Sequence, residues 1–350
     1  MSSAASKLEI IVIGCGVSGL TSGLRLLEEG LRLEKGFRVK ILTEETPDKE
    51  TSRITSRAAA AVWYPYSVNP SENVVRWAGI TYRELENIAS GGCDSVSFVP
   101  FVQVYTTRAE FEKKVRALWW VPFVKRFEHP AKELPQEYEY GYEAEVPLMD
   151  TSRYLKYLMD RFTDQGGQIE YRKINDLNDM VALTEKHPLV INCTGVWARD
   201  LCESGAGQKK FTAKRGQVVC IRKRSDIKRC LVHIGEDKRG EVLTYIIPRR
   251  DDCLLGGTSE PGNWNLKPNG EVEKSILERC KALEPSLRNL KEADIIGSKV
   301  GLRPARERVR LEAEVIGRGR VIHNYGHGGD GFTLSWGCAE DVAQLACQWL

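Results

Sequence analysis

Three glycines with the spacing Gly14-x-Gly16-x-x-Gly19 constrain the fold of this chain more than any other feature of its sequence. They follow a β-branched, apolar run at 8–13 and precede a segment at 17–29 whose leucines recur at helical spacing. Another β-branched run follows within the next 15 residues or so, at the spacing of a second strand. Strand, tight turn, helix and strand form a βαβ unit, which requires parallel strands and a right-handed crossover.

The same turn predicts a ligand that carries phosphate groups. Gly14 permits the tight turn, Gly16 lets the backbone approach a pyrophosphate, and Gly19 allows the helix to pack closely on the strand. The helix N-terminus offers free N–H groups and a partial positive charge to the phosphates. Glu44 and Glu45 end the second strand, where a carboxylate binds the ribose hydroxyls of a dinucleotide. The long connection before this strand leaves both glutamates open for that role.

Composition excludes several classes of protein. The 51 Lys and Arg residues barely exceed the 48 Asp and Glu residues, and a net charge of +3 excludes a chain built around nucleic-acid binding. No apolar run approaches the roughly 18 residues of a membrane span, and the N-terminal segment lacks a secretory signal. The ten cysteines include no CxxC pair. We therefore expect reduced thiols and a cytoplasmic protein, with one bridge through Cys230 left open.

The rest of the chain alternates between two patterns. A buried strand followed by glycine recurs at 188–195, and another strand at 320–325 precedes a helical pattern at 335–349. An alternating, aromatic run at 95–107 and short β-like runs within 211–258 are typical of an antiparallel sheet.

These patterns predict an α/β fold with an α+β part, organised as two interleaved domains. We expect a doubly wound, Rossmann-like dinucleotide-binding domain from residues 1–66, 145–205 and 290–350. We expect an antiparallel-sheet substrate domain from residues 67–144 and 206–289.

A second glycine-rich turn lies near the C-terminus, between His323 and Thr333. Four glycines within six residues carry an entropic cost, which a close approach of the backbone to a flat ligand would explain. The helix that follows points its N-terminus, which carries a partial positive charge, at this turn. Such a charge stabilises the negative charge that develops on the ring of a reduced flavin. His323 and His327 have the spacing of metal ligands on a helix, but Gly326 and Gly328 argue against a helix. We therefore predict no metal site.

Four arginines lie between Gly301 and Glu312. Strand alternation places Arg308, Arg310 and Glu312 on one face, where ion pairs in solvent are typical. Arg303 lies outside this alternation in an apolar setting, and a buried arginine requires a carboxylate partner from the protein or from a substrate. The chain holds no GxSxG elbow, Walker A lysine motif or HExxH pair, so hydrolase and triphosphatase functions lose support.

Ordered motifs along most of the chain match one family of proteins. The matching segments are 11–20, 58–66, 190–198, 215–218, 245–248, 256–258 with 262–264, 301–304 with 309–312, and 323–339. In these segments the sequence resembles the D-amino acid oxidase family of flavoenzymes, which includes the D-aspartate oxidases. The last segment is close to the C-terminal signature of that family.

The resemblance implies FAD as the cofactor and oxidative deamination as the reaction. A D-amino acid yields an imino acid, which hydrolyses to a 2-oxo acid and ammonia, and O2 reoxidises the flavin to give hydrogen peroxide. The family is thought to transfer a hydride from Cα to flavin N5, which requires positioning rather than a side-chain base. Arg303 falls on the arginine that binds the substrate carboxylate, and Tyr245 on a tyrosine that joins it. Gly329 falls on the residue whose carbonyl accepts a hydrogen bond from the substrate amine.

The resemblance also implies which residues contact FAD. They are Gly14, Gly16, Val17, Ser18, Gly19, Glu44, Glu45, Thr55, Ser56, Ala60, Ala61, Trp63, Cys193, Thr194, Gly195, Arg303, His327, Gly328, Gly329, Gly331, Phe332 and Thr333. The aromatic residues Trp63, Tyr64 and Tyr66 either line a pocket for apolar side chains or pack in the core.

Substrate choice depends on positions where the chain departs from the family. Glu241 stands where vertebrate members carry a second tyrosine on a mobile lid, which argues against a tyrosine-gated lid. D-aspartate oxidases bind the second carboxylate with arginines, one of which aligns near Lys238 or Arg239, while the other falls on the uncharged Ser259. We expect neutral D-amino acids as substrates. D-Aspartate or D-glutamate oxidation, and more remotely glycine or sarcosine oxidation, are the alternatives.

The sequence leaves other functions and cellular locations open. A non-catalytic dinucleotide-binding protein and an NAD-dependent dehydrogenase both fit the first turn, although the second turn has no role in a dehydrogenase. The expected partners are a D-amino acid and O2, with no nucleic acid and no membrane, and a homodimer is left open. The chain ends in Trp349-Leu350 without a Ser-Lys-Leu signal, so we expect a peroxisomal location only for a eukaryotic source with a truncated C-terminus.

Overall fold

The computed structural model describes residues 8–34, 36–49, 53–178, 189–202, 211–237, 240–317 and 319–349. Their strands are β1 Leu8–Ile13, β2 Phe37–Thr43, β3 Val96–Tyr105, β4 Phe127–Glu128, β5 Tyr140–Met149, β6 Gln168–Tyr171, β7 Leu189–Asn192, β8 Phe211–Arg222, β9 Cys230–Asp237, β10 Gly240–Pro248, β11 Asp252–Gly256, β12 Glu260–Pro261, β13 Ile295–Ile316 and β14 Gly319–His327. Their α-helices are α1 Val17–Arg32, α2 Glu72–Ser90, α3 Arg108–Arg116, α4 Thr151–Asp164, α5 Ala198–Cys202, α6 Gly270–Leu283 and α7 Gly331–Gln348.

One continuous mixed sheet runs through this part of the chain. Its strand order is β4-β5-β3-β9-β10-β11-β8-β13-β14-β7-β1-β2-β6, with β12 paired to β8. The strands β14, β7, β1, β2 and β6 are mutually parallel. From β9 to β14 along the sheet, each strand pairs antiparallel with the next. The architecture confirms the predicted α/β fold with an added antiparallel region, whereas the division into two interleaved domains stays a prediction.

The parallel section is covered on both faces, as its apolar strands require. Alternate residues of β1 point to opposite sides of the sheet. Ile10 and Val12 belong to the main core with the leucines of α1, and Ile11 and Ile13 belong to a smaller cluster with residues of β7 and β14. The helices α1 and α7 lie together, and the hydroxyl of Thr21 donates to a backbone oxygen of α7 at 3.3 Å.

The antiparallel section separates two environments by strand alternation. On β10, Ile246 joins a core cluster with Ile276 of α6, which covers one face of the sheet. Leu243, Tyr245 and Ile247 alternate with it and therefore point to the opposite face. That second face is directed at a large cavity, whose lining includes these three residues.

The structure differs from the sequence expectations in a few elements. The helix α7 begins at Gly331, four residues before the start expected from its apolar pattern, because the glycines of the preceding turn hide the first helical turn. The strand β9 lies within the region predicted as an antiparallel sheet but outside its β-like runs at 217–222, 243–248 and 253–256, since Cys230, His233 and Gly235 interrupt its β-branched pattern. Cys230 is a buried free thiol, so no bridge forms there. None of the helices in the described ranges is both long and apolar enough to cross a bilayer.

We predict that Gly337→Ala destabilises the fold strongly. A Cβ at Gly337 of α7 would lie 2.2 Å from Cα and 2.4 Å from the carbonyl oxygen of Trp77 in α2, so the two helices would have to separate. Overpacking of this kind costs about 3 kcal/mol or more when backbone must move. The matched control is Gly270→Ala at the start of α6, where a Cβ meets nothing within 4 Å. Urea unfolding of both variants measures the difference, and equal stabilities would contradict the packing described.

Candidate functional site

A cavity of about 550 Å³ lies along the edge of the sheet where the parallel strands end. The strands β1, β2, β7 and β14 are parallel neighbours, so their carboxyl ends meet at one edge. The residues that follow these ends line the cavity, namely Gly14, Glu44, Cys193 and Gly328. Ligands of open α/β sheets bind at this edge. The cavity continues from there beneath the antiparallel section to Tyr245 and Arg303.

The first turn is packed so tightly that a side chain has no room at Gly14 or Gly19. Gly14 has a φ of +104°, and a Cβ on it would lie 2.6 Å from the carbonyl oxygen of Cys193. A Cβ on Gly19 would lie 1.9 Å from the carbonyl oxygen of Gly14, so α1 touches the turn directly. Gly16 lies against Ser56, whose Oγ accepts a hydrogen bond from the backbone N–H of the first residue of α1 at 3.1 Å. The N-terminus of α1 therefore opens onto the cavity with no acidic residue in its first turn.

The far end of the cavity carries charged and aromatic groups suited to a nucleoside. Arg53 forms an ion pair with Glu44 at 3.3 Å, and its guanidinium lies 4.3 Å from the ring centre of Trp197. Glu44 is exposed, and Glu45 lies beside it in the lining. The cavity therefore brings together the two acidic residues that the sequence singled out, with Arg53 between Glu44 and an aromatic ring.

The turn after β7 is held by a buried asparagine. The Oδ1 atom of Asn192 accepts hydrogen bonds from the backbone N–H of Thr194 at 3.2 Å and from its hydroxyl at 2.7 Å. Gly195 follows with a φ of +59°. These contacts fix the Cys193–Thr194–Gly195 turn against the first glycine turn, as the close approach of Gly14 requires.

The inner end of the cavity contains Arg303 and Tyr245. One Nη atom of Arg303 donates to the carbonyl of Thr258 at 2.9 Å, and its guanidinium lies over Gly216, where a Cβ would be 2.5 Å from the nearest nitrogen. Burial raises the pKa of Tyr245 to about 12, and the nearby charge of Arg303 opposes the rise. The Tyr245 hydroxyl is therefore protonated at neutral pH and able to donate beside a cation.

Aromatic residues also line the cavity. The rings of Tyr64 and Tyr66 stack with centres 6.2 Å apart, and Tyr64 lies 4.7 Å from Phe101. The Oε1 atom of buried Gln103 accepts a hydrogen bond from the Tyr64 hydroxyl at 2.6 Å and one from Tyr142 at 2.8 Å. The amide therefore fixes the position of the Tyr64 ring, which lines the pocket.

The second glycine-rich turn forms the wall between these regions. Gly326 and Gly328 have φ values of +87° and +59°, and the N–H of Gly328 donates to the carbonyl of Pro304 at 2.8 Å. His327 is buried, and its Nε2 atom has no hydrogen-bond partner among the described residues. Burial lowers the pKa of His327 to about 4, so its ring is neutral at pH 7. An unpartnered buried nitrogen in a cavity wall is a place for a ligand to make a hydrogen bond.

Most residues that the sequence assigned to ligands lie in the lining of this one cavity, including Tyr64, Tyr66, Arg303 and Gly329. Trp63 does not, because it is fully buried in the core with its Nε1 donating to the carbonyl of Ala78 at 3.1 Å. Trp63 therefore packs in the core and does not line the cavity, and its contact with the cofactor stays a prediction.

Four other residues assigned to ligands are also absent from the described lining of the cavity. Gly19 and Thr333 lie behind the lining: Gly19 supports the first turn, and the Thr333 hydroxyl accepts a hydrogen bond from the N–H of Tyr64 at 3.3 Å. Lys238 and Arg239, the candidate ligands for a second carboxylate, fall outside the described residues. The ligand roles of all these residues remain predictions.

Several residues that organise the site do not stand out in the sequence. Asp330 is fully buried beside the second glycine turn, and Gln103 and Asn192 are buried polar residues with long-range or turn contacts. Their signal in the sequence is weak, since a single Asp, Gln or Asn within a strand or turn usually indicates a cap or a solvent contact. Only the fold shows that these side chains are enclosed.

Known proteins match this chain over nearly its whole length. A family model described as FAD dependent oxidoreductase matches residues 9–345. The chain is 38% identical over 338 residues to a D-amino-acid oxidase of Rubrobacter xylanophilus, covering 96% of this chain and 95% of the relative. It is 34% identical over 351 residues to a D-aspartate oxidase of Homo sapiens, covering 97% and 94%. A solved glycine oxidase from Geobacillus kaustophilus shares the fold, with a TM-score of 0.77 at 19% identity, covering 98% and 95%.

We predict that Gly14→Ala abolishes retention of the flavin. The new Cβ would collide with the Cys193 carbonyl, and the φ of +104° is strained for alanine, so the turn must open at the place predicted for the phosphates of the cofactor. Gly166→Ala is the control, because Gly166 also has a positive φ, of +89°, but meets nothing within 4 Å. The ratio of flavin to protein absorbance after purification checks the prediction. Equal flavin content in both variants would contradict it.

Proposed function

Because this chain belongs to the FAD-dependent oxidoreductase family of the D-amino-acid oxidases, we propose that it oxidises D-amino acids with FAD and O2. The products are a 2-oxo acid, ammonia and hydrogen peroxide. The observation that carries the proposal is the position of Arg303 and Tyr245 at the inner end of the same cavity that begins at the Gly14 turn. The cavity thus offers a dinucleotide and a small carboxylate adjoining binding sites.

The residues present fit FAD as the cofactor. The close glycine turn and the N-terminus of α1 suit the pyrophosphate, and Glu44 or Glu45 suits the ribose. The Nε2 of buried His327, which has no hydrogen-bond partner in the part of the chain that the structure describes, lies in the wall that would face the flavin. When bound, FAD supplies an acceptor for the two electrons of the substrate Cα–H bond and returns them to O2. The fit supports the FAD dependence of the family.

Arg303 and Tyr245 would bind the substrate carboxylate. A guanidinium donates two parallel hydrogen bonds to a carboxylate, and the neutral Tyr245 hydroxyl can donate a third. Arg303 reaches this position because its strand β13 pairs with β8, which carries Gly216 beneath the guanidinium. The absence of a side chain at Gly216 leaves room for the charged group to lie flat.

The amine of the substrate would meet the carbonyl of Gly329. This residue is exposed to the cavity, whereas the neighbouring Asp330 is fully buried and turns its carboxylate towards Tyr66 and Ser67. With the carboxylate and the amine both anchored, only one enantiomer presents its Cα–H bond to the cofactor side of the pocket. Positioning then accounts for stereochemical choice without a side-chain base.

We propose that the preferred substrates carry neutral side chains. The residues that face the inner pocket are aromatic or aliphatic: Tyr64, Tyr66, Phe101, Val232, Ile234, Leu243 and Ile247. His233 lies on β9 between two of them, so its side chain points to the other face of the sheet, where it contacts Tyr138. Within the described lining of this inner end, Arg303 is the cationic side chain, and it is committed to the first carboxylate.

The expected selectivity is testable by peroxide formation from D-alanine, D-aspartate, L-alanine and glycine. We predict a kcat/KM for D-alanine at least about 100-fold above that for D-aspartate, since burying an unpaired carboxylate costs several kcal/mol. L-Alanine should give no peroxide. A preference for D-aspartate would contradict the neutral pocket and assign the second carboxylate to Lys238 or Arg239, and a preference for glycine would indicate a glycine oxidase.

We predict that Arg303→Ala retains flavin but lowers kcat/KM for D-alanine by at least about 100-fold, because the buried carboxylate loses its charged hydrogen bonds. Arg303→Lys should also be poor, since an ammonium cannot form the bidentate contact. Arg308→Ala is the control, because Arg308 lies exposed on the same strand. An unchanged kcat/KM in Arg303→Ala would refute the assigned role of Arg303.

The partners required by this proposal are small molecules, a D-amino acid and O2. The cytoplasmic location and the homodimer remain predictions from the sequence.

A further inference from the structure

Asp330 is a fully buried carboxylate next to the residue that would bind the substrate amine. Its Oδ1 atom accepts a hydrogen bond from the N–H of Tyr66 at 3.0 Å, and its Oδ2 atom accepts one from the N–H of Ser67 at 3.2 Å. The hydroxyl of Ser67 makes a further, short hydrogen bond to Oδ2. One side chain thus gathers three donors from a segment more than 260 residues away in the chain.

The usual explanation for an Asp in this position does not hold. Asp330 directly precedes α7, and an Asp there ordinarily accepts hydrogen bonds from the first N–H groups of its own helix. Its side chain makes no such bond. The carboxylate is directed instead at Tyr66 and Ser67, so its contacts join two walls of the pocket.

The hydrogen bonds continue from Asp330 to the backbone of Gly329. The Ser67 hydroxyl uses its one proton on the carboxylate, and its oxygen accepts from the N–H of Gly329 at 3.0 Å. The N–H of Asp330 donates to the carbonyl of His327 at 3.0 Å. In a trans peptide the C=O and N–H groups point in opposite directions, so this second bond turns the Gly329 carbonyl away from His327.

Tyr66 covers the same glycine. A Cβ on Gly329 would lie 2.5 Å from the Tyr66 hydroxyl oxygen and 2.6 Å from its ring, so the phenol packs directly on the glycine. The Asp330 carboxylate accepts a hydrogen bond from the backbone N–H of Tyr66, so it also fixes the backbone from which the Tyr66 ring extends. The carbonyl that would bind the amine and the aromatic wall beside it therefore share one anchor.

We propose that Asp330 is a positioning residue, which holds the Gly329 carbonyl and the Tyr66 ring at the amine side of the substrate pocket through Ser67. The inference rests on the proposed oxidation of D-amino acids. It assigns to Asp330 the geometry of amine recognition, whereas Arg303 serves the carboxylate.

The charge environment is consistent with this role. Burial raises the pKa of Asp330 to about 7, while its hydrogen bonds and the charge of Arg303 on β13 oppose the rise. Among the described residues, the titratable groups near it are Arg303, the neutral Tyr64 on the opposite segment, and the neutral His327 on its own turn. Protonation of the Asp330 carboxylate would leave one of its three donors without an acceptor. We therefore expect binding of the substrate amine to weaken as pH falls below 7.

The test separates recognition of the amine from recognition of the carboxylate. Asp330→Asn keeps the shape but replaces one acceptor oxygen by an amide NH2 that faces an N–H. We expect the KM for D-alanine to rise roughly 10-fold, equivalent to about 1.4 kcal/mol. The inhibition constant of propionate, which is D-alanine without its amine, should change less than about 2-fold because Arg303 is intact.

Asp341→Asn serves as the control, and Ser67→Ala is a second variant that tests the same role. Asp341→Asn on the same helix also removes contacts between segments, since Asp341 accepts from Arg76 at 2.6 Å and from Trp77 at 2.7 Å, and none of these residues is in the described lining of the cavity. It should lower the unfolding temperature without changing KM or the propionate constant. Ser67→Ala, which cuts the link from the carboxylate to Gly329, should raise the KM for D-alanine if Asp330→Asn does not fold.

Equal changes in the D-alanine and propionate constants, or no change in KM for Asp330→Asn and Ser67→Ala, would overturn the role of Asp330. Turnover of D-alanine by the unaltered protein is measured in the same series. Its absence would refute the proposed function itself, so the two failures are distinguishable.

Discussion

The backbone at Gly14 lies so close to the carbonyl of Cys193 that no side chain fits between them, and the rest of the binding site depends on this contact. It draws the turn after β1 against the turn after β7. It also brings α1, through Gly19, onto the same point, with the helix N-terminus open to the cavity. Without that approach, the free N–H groups of α1 and the turn at 193–195 would not share one wall.

The substrate end depends on a different feature, the continuity of the sheet. The strand β13 pairs with β8 in the antiparallel section and with β14 in the hairpin that leads to the parallel section. Arg303 therefore sits on the strand that joins the two sections. The hydrogen bond from Gly328 to the carbonyl of Pro304 ties the glycine-rich turn to that strand. The groups proposed for the carboxylate and for the amine thus keep a fixed separation, which stereochemical choice requires.

The residues at the two ends of the cavity differ in how well they can be predicted from the sequence. The Gly14 turn, its flanking strand and helix, and the glycine turn at 326–331 are local patterns in which sterics dictate the residue type, so the sequence predicts them well. Arg303 stood out as a cation in an apolar setting. Gln103, Asn192 and Asp330 did not, because their importance comes from enclosure by segments far apart in the chain. Trp63 is a further case, since it stands beside the pocket residue Tyr64 in the chain and only the fold shows that its ring is enclosed in the core.

The most direct test of this account is the visible spectrum of the purified protein, mixed without oxygen with D-alanine or L-alanine. We expect a yellow protein whose flavin absorption is bleached by D-alanine, is untouched by L-alanine and returns on admission of air. Bleaching by L-alanine instead, or a flavin-free protein that oxidises D-alanine only with added NAD, would contradict it.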